Sequence, residues 1–231
     1  DTINRTMNNL EQFVNDEKLC DYDPLVKMAI IHHQFESIHP FGDGNGRTGR
    51  IMNILYLIQT DVLDMPILYL SRFITHHKAD YYRLLQAIRD KQNDNFKEWE
   101  EWILFILKGI EETAIFTIDM VKGISNLMIS FKTIIRPAFG KKYKHDLLNN
   151  LFFHPYTKIE FLMNDLSVSR PTASTYLEDL TNMGLLEKVK MGKENYFINT
   201  ELVNLFMTRG EYGQQTGETI ITHKEIGNSL L

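Results

Sequence analysis

Residues 39–50 read His-Pro-Phe-Gly-Asp-Gly-Asn-Gly-Arg-Thr-Gly-Arg. Four glycines in the eight residues 42–49 predict a tight loop, and Ile51, Met52, Ile54, Leu55 and Ile58 set out the apolar stripe of a helix that begins at Thr48 or Gly49. Upstream, Asp23-Pro24 reads as a helix start, and Leu25, Met28, Ala29, His32 and Phe35 recur at three- and four-residue spacing. That helix should stop near Ile38, because Pro40 biases His39 away from helical dihedrals. The stretch is therefore a glycine-rich turn between two helices. It gathers one imidazole, one carboxylate, one amide and two guanidiniums where a helix opens, and backbone N–H groups there point at one spot suited to phosphate. Arg47 and Arg50 share a side of the first turn and can fork onto phosphate oxygens. Cations at the positive end of a helix are unfavourable, so their placement implies an anion between them. Asp43 offers a hard oxygen for Mg²⁺, and His39 is a general base suited to neutral pH. This set favours phosphoryl or nucleotidyl transfer over acyl transfer.

Three other motifs fail on their own requirements. Gly44-Asn-Gly46-Arg-Thr-Gly49 fits GxGxxG, yet a Rossmann site needs a strand before it and here a helix precedes. Gly46-Arg47-Thr48 lacks the lysine of a P-loop. Asp43-Gly-Asn45 opens like a calcium loop, but Thr48 and Ile54 stand at its required Gly and Glu positions.

Residues 39–50 resemble the signature of Fic-domain proteins, His-Pro-Phe-x-Asp/Glu-Gly-Asn-Gly-Arg-x-x-Arg, with every specified position filled. The flanks, Phe35-Glu36-Ser-Ile-His39, Leu70-Ser-Arg-Phe-Ile74 and Asp80-Tyr-Tyr82-Arg-Leu-Leu85, are similar to Fic sequences too. The resemblance implies AMP transfer from ATP to a Ser, Thr or Tyr hydroxyl of a target protein. In that role His39 takes the hydroxyl proton, Asp43 holds Mg²⁺, and the amides of Gly44, Asn45 and Gly46 cradle the anion. Arg47 and Arg50 grip the outer phosphates, Phe41 anchors the loop to the core, and Tyr82, with Tyr81 as second choice, packs the adenine. A kinase branch of the family carries Lys where this chain has Gly46, which speaks against kinase activity. Two family elements are missing: the target-aligning hairpin and the inhibitory Ser/Thr-x-x-x-Glu-Gly/Asn helix. Ser174 and Glu178 have the spacing but Asp179 follows, and Thr222 and Glu225 are one residue too close. Both elements are expected in an absent N-terminal segment, because the chain opens on Asp1 and reads as a fragment.

Outward from this loop, helical periodicity continues over 71–89 and from 96 to about 135, and Arg136-Pro137 with Gly140 sets a domain border. Three short helices follow, over 145–153, from a capping box at Thr157 to Glu160, and from Ser169 to about Met183. A hairpin around residues 192–194 completes the outline of a winged helix-turn-helix, similar to the one appended to many bacterial Fic proteins. The expected fold is mainly α: a Fic-type catalytic domain over 1–136, a winged helix over 137–207 and a tail of unassigned role over 208–231.

Composition bounds the remaining classes. Hydrophobic residues make up 43% of 231, enough for buried cores, and the net charge of −5 is against a general nucleic-acid coat. A single cysteine, Cys20, excludes a disulfide framework and fits a reducing cytoplasm. The longest fully apolar stretches are short, about six residues against the ~20 that span a bilayer, so no membrane partner is expected. Between 141 and 196, eight Lys/Arg face seven Asp/Glu, a low charge for DNA contact, which stays a secondary expectation beside protein docking or a homodimer. The alternative function is a nucleotide-sensing, DNA-binding regulator. His32, His33, His76 and His77 read as packing or surface residues.

Overall fold

The computed structural model describes residues 2–16, 18–90 and 96–209. It divides into two compact units, Asp1–Thr117 and Ile118–Leu231.

The first unit is helical. It comprises α1 (Thr2–Asn15), α2 (Pro24–Ile38), α3 (Asn45–Gln59), α4 (Leu70–His76), α5 (Lys78–Asp90) and the opening turns of α6 (Phe96–Phe139). Asp23 caps α2 by accepting from the Leu25 N–H at 2.8 Å, with Pro24 in the first turn as the sequence predicts. α2 is the central element: Met28, Ala29, Ile31, His32, His33 and Phe35 are all buried, so it lacks a wet face. Its apolar side packs into a cluster with Leu57, Leu84, Leu85, Trp102 and Ile106. The Trp102 indole donates to the Ala29 carbonyl at 2.8 Å, which fixes α6 against α2. His32 stacks on Trp102 and its Nε2 lies 3.0 Å from the Tyr81 hydroxyl, while His33 Nε2 meets the Leu85 carbonyl at 3.2 Å. These two histidines are packing residues. The expected helix over 71–89 is two helices, because α4 ends at His76 and α5 restarts at Lys78.

The second unit takes the rest of α6, a 3-10 turn at Gly140–Lys142, α7 (His145–Phe153), β1 (Tyr156–Thr157), α8 (Ile159–Leu166), α9 (Arg170–Asn182), β2 (Glu187–Met191), β3 (Glu194–Ile198) and α10 (Thr200–Arg209). The sheet is antiparallel in the order β1-β3-β2, with Tyr156 opposite Ile198 and Val189 opposite Tyr196. Leu147, Leu151, Leu162, Leu177, Leu180 and Phe197 form its core. The three helices and the hairpin match the sequence reading. β1 and α10 do not appear in that reading. The capping box is corrected: Thr157 is a buried strand residue whose hydroxyl donates to Asn150 Oδ1 at 2.7 Å, and Lys158 takes the cap position of α8 with no side-chain bond to the helix. Asn150 in turn donates to Asp165, so the hydroxyl is satisfied inside a polar network.

The sequence places the border of the units at 136/137. α6 runs through Pro137, which stands in its last turn, where a missing N–H costs one helical bond, and the division falls earlier in the same helix. The run Phe96–Lys142 is also long and apolar enough to cross a membrane by length and composition, though its contiguous apolar stretches are short. Trp102 and Ile106 near one end are fully buried in the first unit, and Phe131 and Ile135 toward the other in the second. Residues 210–231, most of the expected tail and the site of Thr222 and Glu225, lie outside the described residues.

Candidate active site

The loop between α2 and α3 starts with a residue in an uncommon conformation. His39 ends α2 at φ 52 and ψ 59, and its N–H donates to the Phe35 carbonyl at 3.1 Å. For a side chain with a Cβ this left-handed region costs roughly 1–2 kcal/mol relative to the right-handed one. Pro40 denies residue 39 the right-handed alternative, so the helix ends by turning the imidazole outward. His39 is exposed and lines a cavity of about 450 Å³.

Gly44, at φ 85, is the cap of α3, and the helix starts at Asn45, earlier than Thr48. The reason is the Asn45 side chain. Its Oδ1 accepts from the Phe41 N–H at 2.9 Å and its Nδ2 donates to the Phe41 carbonyl at 2.6 Å, closing the loop onto the first residue of the helix. The expected anchoring of the loop through the Phe41 ring is corrected. Phe41 is 49% exposed, and its ring meets that of Phe35 with centroids 6.2 Å apart. The loop is held by the backbone of Phe41 and by Asn45, which is 3% exposed.

The expected anion cradle, the amides of Gly44, Asn45 and Gly46, lies at the opening of α3, and all three residues line the cavity. The Gly44 N–H donates to Asp43 Oδ1 at 2.7 Å and is engaged within the loop. The amides of Asn45, Gly46 and Arg47 open the helix, where the first turn has no intrahelical acceptors, and these residues line the cavity. Arg47 and Arg50 line the same cavity, Arg47 exposed and bonded to Asp43 Oδ2 at 3.3 Å. The Asp43 carboxylate stands 93% exposed at the mouth of this cradle. One exposed carboxylate beside the opening of a helix is a donor set that fits Mg²⁺, which keeps several waters and takes few protein oxygens. The contact with Arg47 is an exposed pair of small worth and yields readily.

The opposite wall comes from α4 and α5: Ser71, Ile74, Thr75, Lys78, Tyr81 and Tyr82. The two tyrosines differ. Tyr81 is 3% exposed, its hydroxyl tied to His32, and burial raises its pKa strongly. Tyr82 is 56% exposed and lines the cavity, its ring at a T-shaped angle to that of Tyr81. Two further residues were missed by sequence reasoning. Glu36 lies on the cavity floor, and Arg89 donates to the Glu36 carbonyl at 2.6 Å and to the Ser37 hydroxyl at 3.1 Å, gripping the end of α2 next to His39. Glu36 falls on the buried side of α2 by periodicity. Arg89 carries no local signal.

Parts of this chain match known protein families and relatives. Residues 1–57 match the Fic/DOC family, and residues 127–202 match the family described as "Protein adenylyltransferase SoFic-like, C-terminal domain". Protein adenylyltransferase fic-1 of Caenorhabditis elegans is 35% identical over 54 residues, 23% of this chain and 11% of its own length. Protein adenylyltransferase Fic of Aedes aegypti is 30% identical over 84 residues, 36% of this chain and 16% of its own length. A probable protein adenylyltransferase of Aquifex aeolicus (strain VF5) is 39% identical over 64 residues, 27% and 19% respectively. These matches span less than a fifth of each relative. A crystal structure of a Fic family protein from Desulfovibrio desulfuricans G20 aligns over 85% of this chain and 55% of its own, at 25% identity and a TM-score of 0.41.

Proposed function

We propose, from the premise that this chain carries a Fic-type domain followed by a SoFic-like C-terminal domain, that it transfers AMP from ATP to a hydroxyl side chain of a target protein and releases pyrophosphate. The observation that carries the reading is convergence: His39, Asp43, Arg47, Arg50 and the opening turn of α3 line one cavity whose other wall bears the exposed Tyr82.

The target oxygen attacks the α-phosphorus while the bond from that phosphorus to the bridging oxygen of the β-phosphate breaks. His39 accepts the hydroxyl proton, and the left-handed backbone that turns it outward gives an approaching side chain access to it. The amides of Asn45, Gly46 and Arg47 stabilise the charge that gathers on the phosphate oxygens. Arg47 and Arg50 hold the β- and γ-phosphates, so the leaving pyrophosphate is in line with the attacking oxygen. Asp43 would hold Mg²⁺, which neutralises the leaving group. Tyr82 supplies a stacking face for adenine.

We read the second unit, in the order helix, strand, helix, helix, hairpin, as a winged helix that serves docking. Lys188 is paired with Glu178 and Lys158 with Glu194, so two of its cations are already engaged by carboxylates. That arrangement suits a protein partner or a second copy better than a DNA backbone.

The test is incubation with Mg²⁺ and ATP labelled at the α- or the γ-phosphate. Label on protein is expected from the α-position alone, falling about 100-fold or more in His39→Ala. Transfer of γ-label, or undiminished transfer in the variant, refutes the reading.

A further inference from the structure

Glu36 is a buried carboxylate in a wall that otherwise binds anions. It is 7% exposed, its Oε1 is sealed from solvent and accepts no hydrogen bond among the described residues, and it lines the cavity together with Arg50. A buried charge without a partner is costly, and such a group in a native core calls for an explanation. The neighbouring sequence supplies one. Gly46 and Gly49 lie inside α3 at ordinary helical dihedrals, where glycine is roughly 0.5–1 kcal/mol worse than alanine and no turn requires it. A Cβ on Gly46 would stand 3.0 Å from Arg50 Nη1 and 3.5 Å from Glu36 Oε1. A Cβ on Gly49 would stand 3.3 Å from the same Glu36 oxygen and 3.2 Å from the Phe35 ring. Both glycines keep a Cβ of α3 away from this carboxylate oxygen, and Gly46 also keeps one away from Arg50 Nη1, so the two charged groups border the same space beneath α3. Burial raises the pKa of Glu36, while Arg50, His39 and Arg89 act in the opposite direction, Arg50 foremost.

The geometry points to Glu36 as the positioning residue of Arg50: a buried counter-charge beneath α3 that draws one edge of the guanidinium to the cavity floor and leaves the other edge facing the outer phosphates. A planar guanidinium biased by a counter-charge on one side presents its N–H groups in a narrower range of orientations, which lowers the ordering cost of gripping a triphosphate. The carboxylate touches neither nucleotide nor target and acts through Arg50. This inference rests on the nucleotide reading above and adds to it the residue that aims the second arginine.

The test is a double-mutant cycle on the full chain, read by calorimetric titration with Mg²⁺·ATP and with inorganic tripolyphosphate, and in parallel by α-label transfer. Glu36→Gln keeps the volume and removes the charge. It is expected to weaken binding of both probes about tenfold in the Arg50 chain and less than twofold in the Arg50→Ala chain, because coupled residues share one loss. The melting temperature of Glu36→Gln should hold or rise, since a neutral group is cheaper to bury. Should that chain fail to fold, Glu36→Met carries the same expectation. Unchanged binding, or an equal loss with and without Arg50, overturns the inference. A chain that binds both probes with this coupling but transfers no label keeps Glu36 in its role and refutes adenylyl transfer. A chain that binds neither probe refutes both.

Discussion

The side-chain amide of Asn45 bonds both polar groups of Phe41, taking its N–H at 2.9 Å and giving to its carbonyl at 2.6 Å. One residue thus staples the loop that carries His39 at one end to the helix that carries Arg47 and Arg50 at the other. Asn45→Asp retains the acceptor and turns the donor into a second oxygen facing the Phe41 carbonyl. The expected outcome is a loss of about 1–3 kcal/mol in urea unfolding, from an unsatisfied buried carbonyl, and a fall in label transfer larger than any fall in tripolyphosphate binding. Transfer at the wild-type rate would show that the loop keeps its shape without the staple.

Arg89 grips the same loop from behind. Its bonds to the Glu36 carbonyl and the Ser37 hydroxyl cap the carbonyl end of α2, where a cation also meets the negative end of the helix dipole. Arg89→Met retains the stem and removes the bonds. The rate constant for label transfer should fall about tenfold as His39 loses its perch, with the KM for ATP within twofold, because displacement of a reacting group by a fraction of an ångström acts on the chemical step. A rise in KM with an unchanged rate constant would place Arg89 in nucleotide binding instead.

The chemistry of this site is legible in the sequence because it is local: twelve contiguous residues put the imidazole, the carboxylate, both arginines and the helix start within a few residues of each other. The supports are not. Arg89 reaches Ser37 and Glu36 across more than fifty positions, and Glu36 has a function only once α3 is laid over it. The same divide runs through the fold. Pro24, Asp23 and Gly184 mark helix ends in the sequence and do so in the structure, Gly184 at φ 74. Thr157 reads as a cap because Glu160 follows at the right interval, but pairing with Phe197, distant in sequence, takes it into a strand. β1 is two residues long and has no period to detect.

Burial gives the first unit a definite response to acid. His32 is held down to about 3 and His33 to about 4, both chiefly by burial. In the unfolded chain each titrates near 6.5, so between pH 6.5 and about 4 the unfolded state binds more protons than the folded one. Each histidine therefore withdraws up to about 1.4 kcal/mol of stability per pH unit as pH falls through that window. Glu36, raised by burial, works the other way and regains part of this at the acid end. Urea unfolding should show constant stability contributed by these histidines above pH 7 and a decline from pH 6.5 to 5. A chain equally stable at pH 5 and pH 7.5 would show that neither imidazole is held neutral.

Tyr81 and Tyr82 are adjacent in sequence and should separate cleanly on substitution. Tyr81→Phe removes the bond to His32 in the core and is expected to cost about 1 kcal/mol of stability with nucleotide binding unchanged. Tyr82→Ala removes an exposed ring from the cavity wall, so the melting temperature should hold while ATP binding weakens about fivefold or more. Binding of inorganic tripolyphosphate, which has no base, should be the same in Tyr82→Ala as in the wild type. An equal loss for both probes would place Tyr82 at the phosphates.

Lys190 and Lys193, exposed on and beside the hairpin of the second unit, are the groups that a nucleic-acid backbone would meet. If that unit serves docking alone, Lys190→Ala with Lys193→Ala leaves label transfer to a generic acceptor within twofold of wild type, because neither side chain belongs to the cavity that holds His39. If the hairpin grips a duplex, taking away each lysine–phosphate pair reduces both the affinity and its dependence on salt, by nearly one unit of logarithmic slope per pair. Filter retention of a labelled duplex across a salt series measures that slope directly. A steep slope in the wild type that flattens in the double variant would assign the hairpin to DNA, and an absence of transfer in the double variant would make the second unit part of the catalytic assembly.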